Sequence, residues 1–97
     1  RRGQRAAAQE RQRFAFNARQ AIEGYIDAVE KGDTVAEARI LEDLGNTYRV
    51  RLSGTSMMER LIEARSISWT LRTIMENPSI TDRYIETFER FGMEIEE

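Results

Sequence analysis

A chain of 97 residues has room for one domain around one core, and its 33% charged residues exceed the roughly 25% of an average globular domain, so much of every element must face water or a charged partner. It contains no cysteine and no histidine, which removes disulfide frameworks, Cys/His zinc sites, thiol nucleophiles, His or Cys haem ligation and every Ser-His or Cys-His triad. No stretch approaches the 18 consecutive apolar residues of a membrane-spanning helix and no signal-peptide pattern is present, so membrane contact is not indicated within this segment. The first residue is Arg1 rather than Met. Residues 1–97 are therefore expected to be a single helical domain or an excerpt of a longer chain.

The charge is polarised along the chain. Arg1, Arg2, Arg5, Arg11, Arg13 and Arg19 precede residue 20 against a single Glu10, while the far end closes on Met93-Glu94-Ile95-Glu96-Glu97. Arginine forks suit carboxylates and phosphates alike, so residues 1–13 read as a basic, extended arm whose five arginines, together with Arg19, are candidate contacts for nucleic acid or another anionic surface. A solvated start to a helix is the plainer account of the same residues.

From about Gln4 to Lys31 the chain is free of proline and rich in Ala, Gln, Arg and Glu, with Gly32-Asp33 as the stop; this predicts a long first helix over 4–31. Phe14, Ala18, Ala21, Ile22, Tyr25 and Val29 share one arc of its wheel, the stripe of a helix packed on a neighbour. Phe16 falls on the opposite side, beside Arg19 and Glu23, and is a candidate contact residue.

Asp33 can cap a second helix, and Ala38, Leu41, Leu44, Tyr48 and Leu52 recur at spacings of three and four, which predicts helix over 34–52. The rival reading ends the helix at Gly45-Asn46 and makes 47–52 a strand, because its apolar residues also alternate; helix is preferred because no partner strand is evident. Ser53-Gly54-Thr55-Ser56 is a turn in which Thr55 or Ser56 caps a third helix over 56–76. That helix is apolar on two sides. Met58, Ile62 and Trp69 lie on one, and Ala64, Ile67, Leu71, Ile74 and Met75 lie roughly opposite, so it must be central or present one side to another chain. Asn77-Pro78 ends it, and Ile80, Tyr84, Phe88 and Phe91 form a narrow aromatic stripe over a fourth helix at 78–91, before Gly92. The fold class is thus all-α, with three to four helices forming hairpins or a bundle completed by oligomerisation.

Little in this pattern carries chemistry. Glu59/Glu63 and Asp82/Glu86 are carboxylate pairs at helical spacing, but a di-metal bundle also needs a Glu-x-x-His, so they read as solvated surface; Arg39/Asp43 and Glu86/Arg90 read as helical ion pairs. Ser53–Ser56 has one glycine and no following lysine, unlike a phosphate-gripping loop. No catalytic residue, metal or cofactor is expected. Trp69 is either a core residue, in which case truncation to Ala costs ~3–5 kcal/mol, or an interface residue whose loss the monomer tolerates.

Two stretches, Arg13-Phe14-Ala15-Phe16-Asn17-Ala18-Arg19-Gln20-Ala21 and Arg51-Leu52-Ser53-Gly54-Thr55-Ser56-Met57-Met58-Glu59-Arg60-Leu61, resemble the small internal (core or ejection) virion proteins of short-tailed phages, over roughly residues 10 to 65. The resemblance implies a mostly helical virion protein, stored in the capsid and released into the host envelope to assemble around the DNA path. Such proteins commonly carry an apolar membrane segment, which this chain lacks, and they supply no catalytic site to carry over. Without that resemblance, the compartment expected is cytoplasmic.

The residues themselves point to a non-enzymatic assembly subunit working through helix–helix contacts in a homo-oligomer or larger assembly, with Phe16, Met58, Ile62, Trp69, Tyr84, Phe88 and Phe91 as interface candidates. The second reading is a small regulator that binds nucleic acid non-specifically, or a protein partner, through its arginine-rich opening.

Overall fold

The computed structural model describes residues 4–77 together with Ser79, Ile80 and Arg83. They form three helices, α1 (Gln4–Lys31), α2 (Thr34–Tyr48) and α3 (Met57–Glu76), with no strand among the described residues. The all-α expectation holds. At 1.5 Å per residue the 28 residues of α1 extend roughly 42 Å, and residues 4–13 belong to that helix rather than to an extended arm.

The connections follow from local chemistry. Gly32 takes a left-handed φ of 72°, and the amides of Gly32 and Asp33 bond back to the carbonyls of Val29 and Ala28, closing α1. Asp33 then caps α2, its Oδ1 accepting from the Ala36 amide at 3.0 Å. At the start of α3, Ser56 Oγ accepts from the Glu59 amide at 3.1 Å, and the Glu59 carboxylate reaches back to the Thr55 amide, a capping box displaced by one residue.

The second helix is shorter than its periodicity predicts. It ends at Tyr48 and does not reach Leu52, because Arg49 adopts the left-handed region at φ 57°, ψ 32°, and Val50 N–H turns back to the Leu44 carbonyl at 3.0 Å. Gly45 and Asn46 stay inside the helix, and 47–52 is not a strand. Residues 49–56 instead form an irregular strap whose Val50 is buried in the core.

Helix α1 is the hub. It packs against both α2 and α3, while α2 and α3 make no helix-to-helix packing of their own. One core cluster joins Ala15, Ala18, Ile22, Tyr25 and Ile26 of α1, Leu44 of α2, Val50 of the strap, and Leu61, Ala64, Ile67, Leu71 and Ile74 of α3. The buried arc of α1 is therefore wider than the predicted stripe. Ala15 and Ile26 extend it on the side that meets α3, and Phe14 meets Tyr48 of α2 edge-on, with ring centroids 6.5 Å apart. The antiparallel α1–α3 pair is further held by Gln12 Nε2 donating to the Met75 carbonyl, Arg19 Nε to Ser68 Oγ at 3.2 Å, and an Arg65–Glu30 ion pair at 3.0 Å.

The predicted fourth helix at 78–91 lies outside the described residues, apart from Ser79, Ile80 and Arg83. Asn77 is the C-cap of α3, its N–H donating to the Thr73 carbonyl, and so marks the boundary; Ser79 Oγ donates to Asn77 Oδ1 at 2.7 Å.

Candidate interaction face

Helix α3 is two-sided in its burial as well as in its sequence. At 100° per residue, Leu61, Ala64, Ile67, Ser68, Thr70, Leu71 and Ile74 fall on one half of the wheel, and all are buried. Met58, Ile62 and Trp69 fall within a narrow arc on the other half, and are 62%, 58% and 62% exposed. Trp69 is thus not a core residue. Three large apolar side chains aligned over three turns of one helix are more than the scattered exposed residues normal on a soluble surface.

Phe16 lies on the adjoining part of the molecule. It is 47% exposed on α1, and it lines a surface groove of about 320 Å³ with Arg19, Gln20, Glu23 and Met75. A second groove of about 290 Å³ continues along the α1–α3 seam, lined by Arg19, Glu23, Ile26, Glu30, Arg65, Ser68, Trp69 and Arg72. Arg19 and Glu23 are common to both, so the seam connects Phe16 to Trp69. That junction depends on how α1 and α3 are placed against each other, which a wheel drawn for either helix alone does not contain. Met75, assigned by its wheel to the core side, supplies the floor near Phe16 and is only partly buried.

The face is edged with charge. Arg65 pairs with Glu30 across the seam, Arg72 with Glu76 at 3.2 Å along α3, and Arg19 with Glu23 at 3.3 Å along α1. The Arg65–Glu30 and Arg72–Glu76 pairs are exposed enough to exchange partners at little cost, and Glu23 is the exposed partner of an Arg19 that Ser68 also holds.

Other candidates are placed differently. Arg13 is exposed, whereas Arg19 is partly buried and engaged by Ser68 and Glu23, so it is not a free anion contact. Arg5 and Arg11 lie in α1, where helical geometry puts position 11 nearly opposite position 13. Arg1, Arg2, Tyr84, Phe88 and Phe91 lie outside the described residues, as do the pairs Asp82/Glu86 and Glu86/Arg90.

The Glu59/Glu63 carboxylates are not simply solvated. Glu59 accepts from Thr55 N–H, and Glu63 accepts from Ser53 N–H (3.2 Å), Ser53 Oγ (2.8 Å) and Gly54 N–H (2.6 Å), fastening the strap to α3. Asp43 accepts from Thr47 Oγ1 at 3.1 Å rather than pairing with Arg39. Sequence reasoning also missed two exposed apolar residues, Met57 at the start of α3 and Val35 at the start of α2.

Among the described residues no group of three or more acidic side chains could hold a metal ion, and no helix is long and apolar enough to cross a membrane. Comparison with protein-family models, with curated proteins and with solved structures finds no match for this chain.

Proposed function

We propose that this protein is a non-enzymatic assembly subunit that receives a partner helix on the outer face of α3. The observation that carries the reading is the alignment of Met58, Ile62 and Trp69 on one exposed arc of a helix whose other half is already filled by its own core. Burying apolar surface is worth about 25 cal/mol per Å², and a helix laid along this stripe would cover all three side chains at once. Aromatic anchors such as Trp dominate protein interfaces energetically, and here the aromatic has charged neighbours at its rim. On the resemblance to internal phage virion proteins, the partner is itself a virion protein.

The test is site-directed photo-crosslinking. A photoreactive residue in place of Ile62 is expected to give a discrete crosslinked product in cells that make the protein, while the same residue in place of Val35, which is exposed on α2, gives none. Equal silence at both positions would contradict the reading.

The arginine-rich opening remains the basis of a second reading, non-specific phosphate contact, favoured by the exposed Arg13. It is the weaker of the two, because positions 11 and 13 fall on nearly opposite sides of α1 and Arg19 is already engaged by Ser68 and Glu23. Removing residues 1–13 would lower affinity for DNA, and flatten its salt dependence, only under this second reading.

A further inference from the structure

We infer that the helix received on this face is α3 of a second copy of the same chain, running antiparallel to the first and steered by a charge pattern repeated at seven residues. The inference rests on the docking-face reading above and specifies its partner.

On α3, Ile62 and Trp69 are seven residues apart, and so are Arg65 and Arg72; on α1, Glu23 and Glu30 are seven apart. Seven residues are two helical turns, so each pair projects from one side of its helix about 10 Å apart. Within one chain α1 and α3 run in opposite directions, and the two sets meet only once, at Arg65–Glu30. Arg72 falls back on Glu76 in its own helix, and Glu23 on Arg19.

A second copy whose α3 is antiparallel to the first α3 runs parallel to the first α1. The arginine pair of one copy then matches the glutamate pair of the other in both spacing and direction. A two-fold axis crossing α3 between Arg65 and Ser66 sets Ile62 against Trp69 of the other copy, twice, and brings Arg65 and Arg72 of each copy toward Glu23 and Glu30 of the other. Because the contact is isologous it closes on itself, and every apolar or charged match is made in duplicate. Arg19, Glu23, Glu30, Arg65, Trp69 and Arg72 line the seam groove in the single chain, so these partners already share one surface. Charge complementarity of this kind sets orientation and register, while the Ile62–Trp69 contact supplies the buried apolar area.

The experiment uses two charge-reversed chains, E23K/E30K and R65E/R72E, with helix content checked by circular dichroism and mass read by sedimentation equilibrium. The wild-type chain is expected to dimerise. Each variant alone faces like charges at both seams and should dimerise at least about tenfold more weakly. An equimolar mixture restores opposite charges at both seams, and should recover the dimer as a heterodimer. I62E should lose the dimer in every combination. A wild-type chain that stays monomeric up to millimolar concentration, or charge variants that each dimerise as well as wild type, would overturn the inference. The two proposals fail separately: an Ile62 crosslink to a different protein from a monomeric chain removes the second copy and leaves the docking face standing, whereas a silent crosslinker removes the docking face as well.

Discussion

Among the described residues Tyr25 is the largest fully buried side chain, and its hydroxyl has no hydrogen-bond partner there. A buried, unmatched hydroxyl costs free energy that its ring does not, so Tyr25→Phe is expected to leave stability unchanged or raise it by up to about 1 kcal/mol, read as an unchanged or higher midpoint in urea unfolding. Gly54 works in the opposite sense. A Cβ there would sit 2.7 Å from Glu59 Cβ and from Glu63 Oε1, and 2.8 Å from the Arg60 backbone nitrogen, so the strap could approach α3 no closer than a shifted backbone allows. Gly54→Ala is expected to destabilise by about 1–3 kcal/mol in the same measurement. The sequence marks Gly54 as a turn residue valued for backbone freedom; what the structure requires of it is the absence of a side chain beneath the Glu63 carboxylate. That close approach is tertiary, and no local pattern announces it.

At the scale of elements, the three helices are unequal. Leu44 is the only fully buried residue of α2, whose remaining packing comes from the partly buried Ile40, Leu41 and Tyr48 against α1, while α3 buries seven residues. Local opening follows buried contact, so backbone amides of α2 are expected to exchange with deuterium faster than those in the middle of α1 and α3. Protection of α2 equal to that of α3 would contradict this ordering.

The bounds of α1 and the start of α3 were legible because their punctuation is chemical: Gly32 supplies the left-handed stop, and Asp33 and Ser56 supply caps. The end of α2 was not, because its left-handed residue is Arg49, which carries no such signal, and because Tyr48, Val50 and Leu52 suit a helix and a strand equally well. The strap resolves that ambiguity by being neither, with Val50 drawn into the core and Ser53 and Gly54 bonded to Glu63. At the α1 terminus, the Asp27 carboxylate, by hydrogen bond and then by charge, holds the Lys31 ammonium above its usual 10.5. The raised value means that this contribution is present at neutral pH and is lost only as pH climbs through the alkaline range.

Over the whole molecule, the two-sided third helix was legible in the sequence because a wheel records which residues share a side. Which side the chain covers itself was not legible, since that depends on α1 and on the strap. The hub geometry leaves Met58, Ile62 and Trp69 outside the core and joins them, through the α1–α3 seam, to Phe16 and to charges of both signs. The proposed function requires the outer side of α3 to be a surface for another helix. Trp69 is the only tryptophan, so its fluorescence reports on that surface alone. The direct measurement is acrylamide quenching of Trp69 across a dilution series from micromolar to millimolar protein, with mass followed in parallel. Quenching should be strong in the dilute monomer and fall in step with dimer formation. Quenching that stays strong while the mass doubles would contradict it, because the chain would then associate through another surface; a chain that never associates would remove the second copy alone.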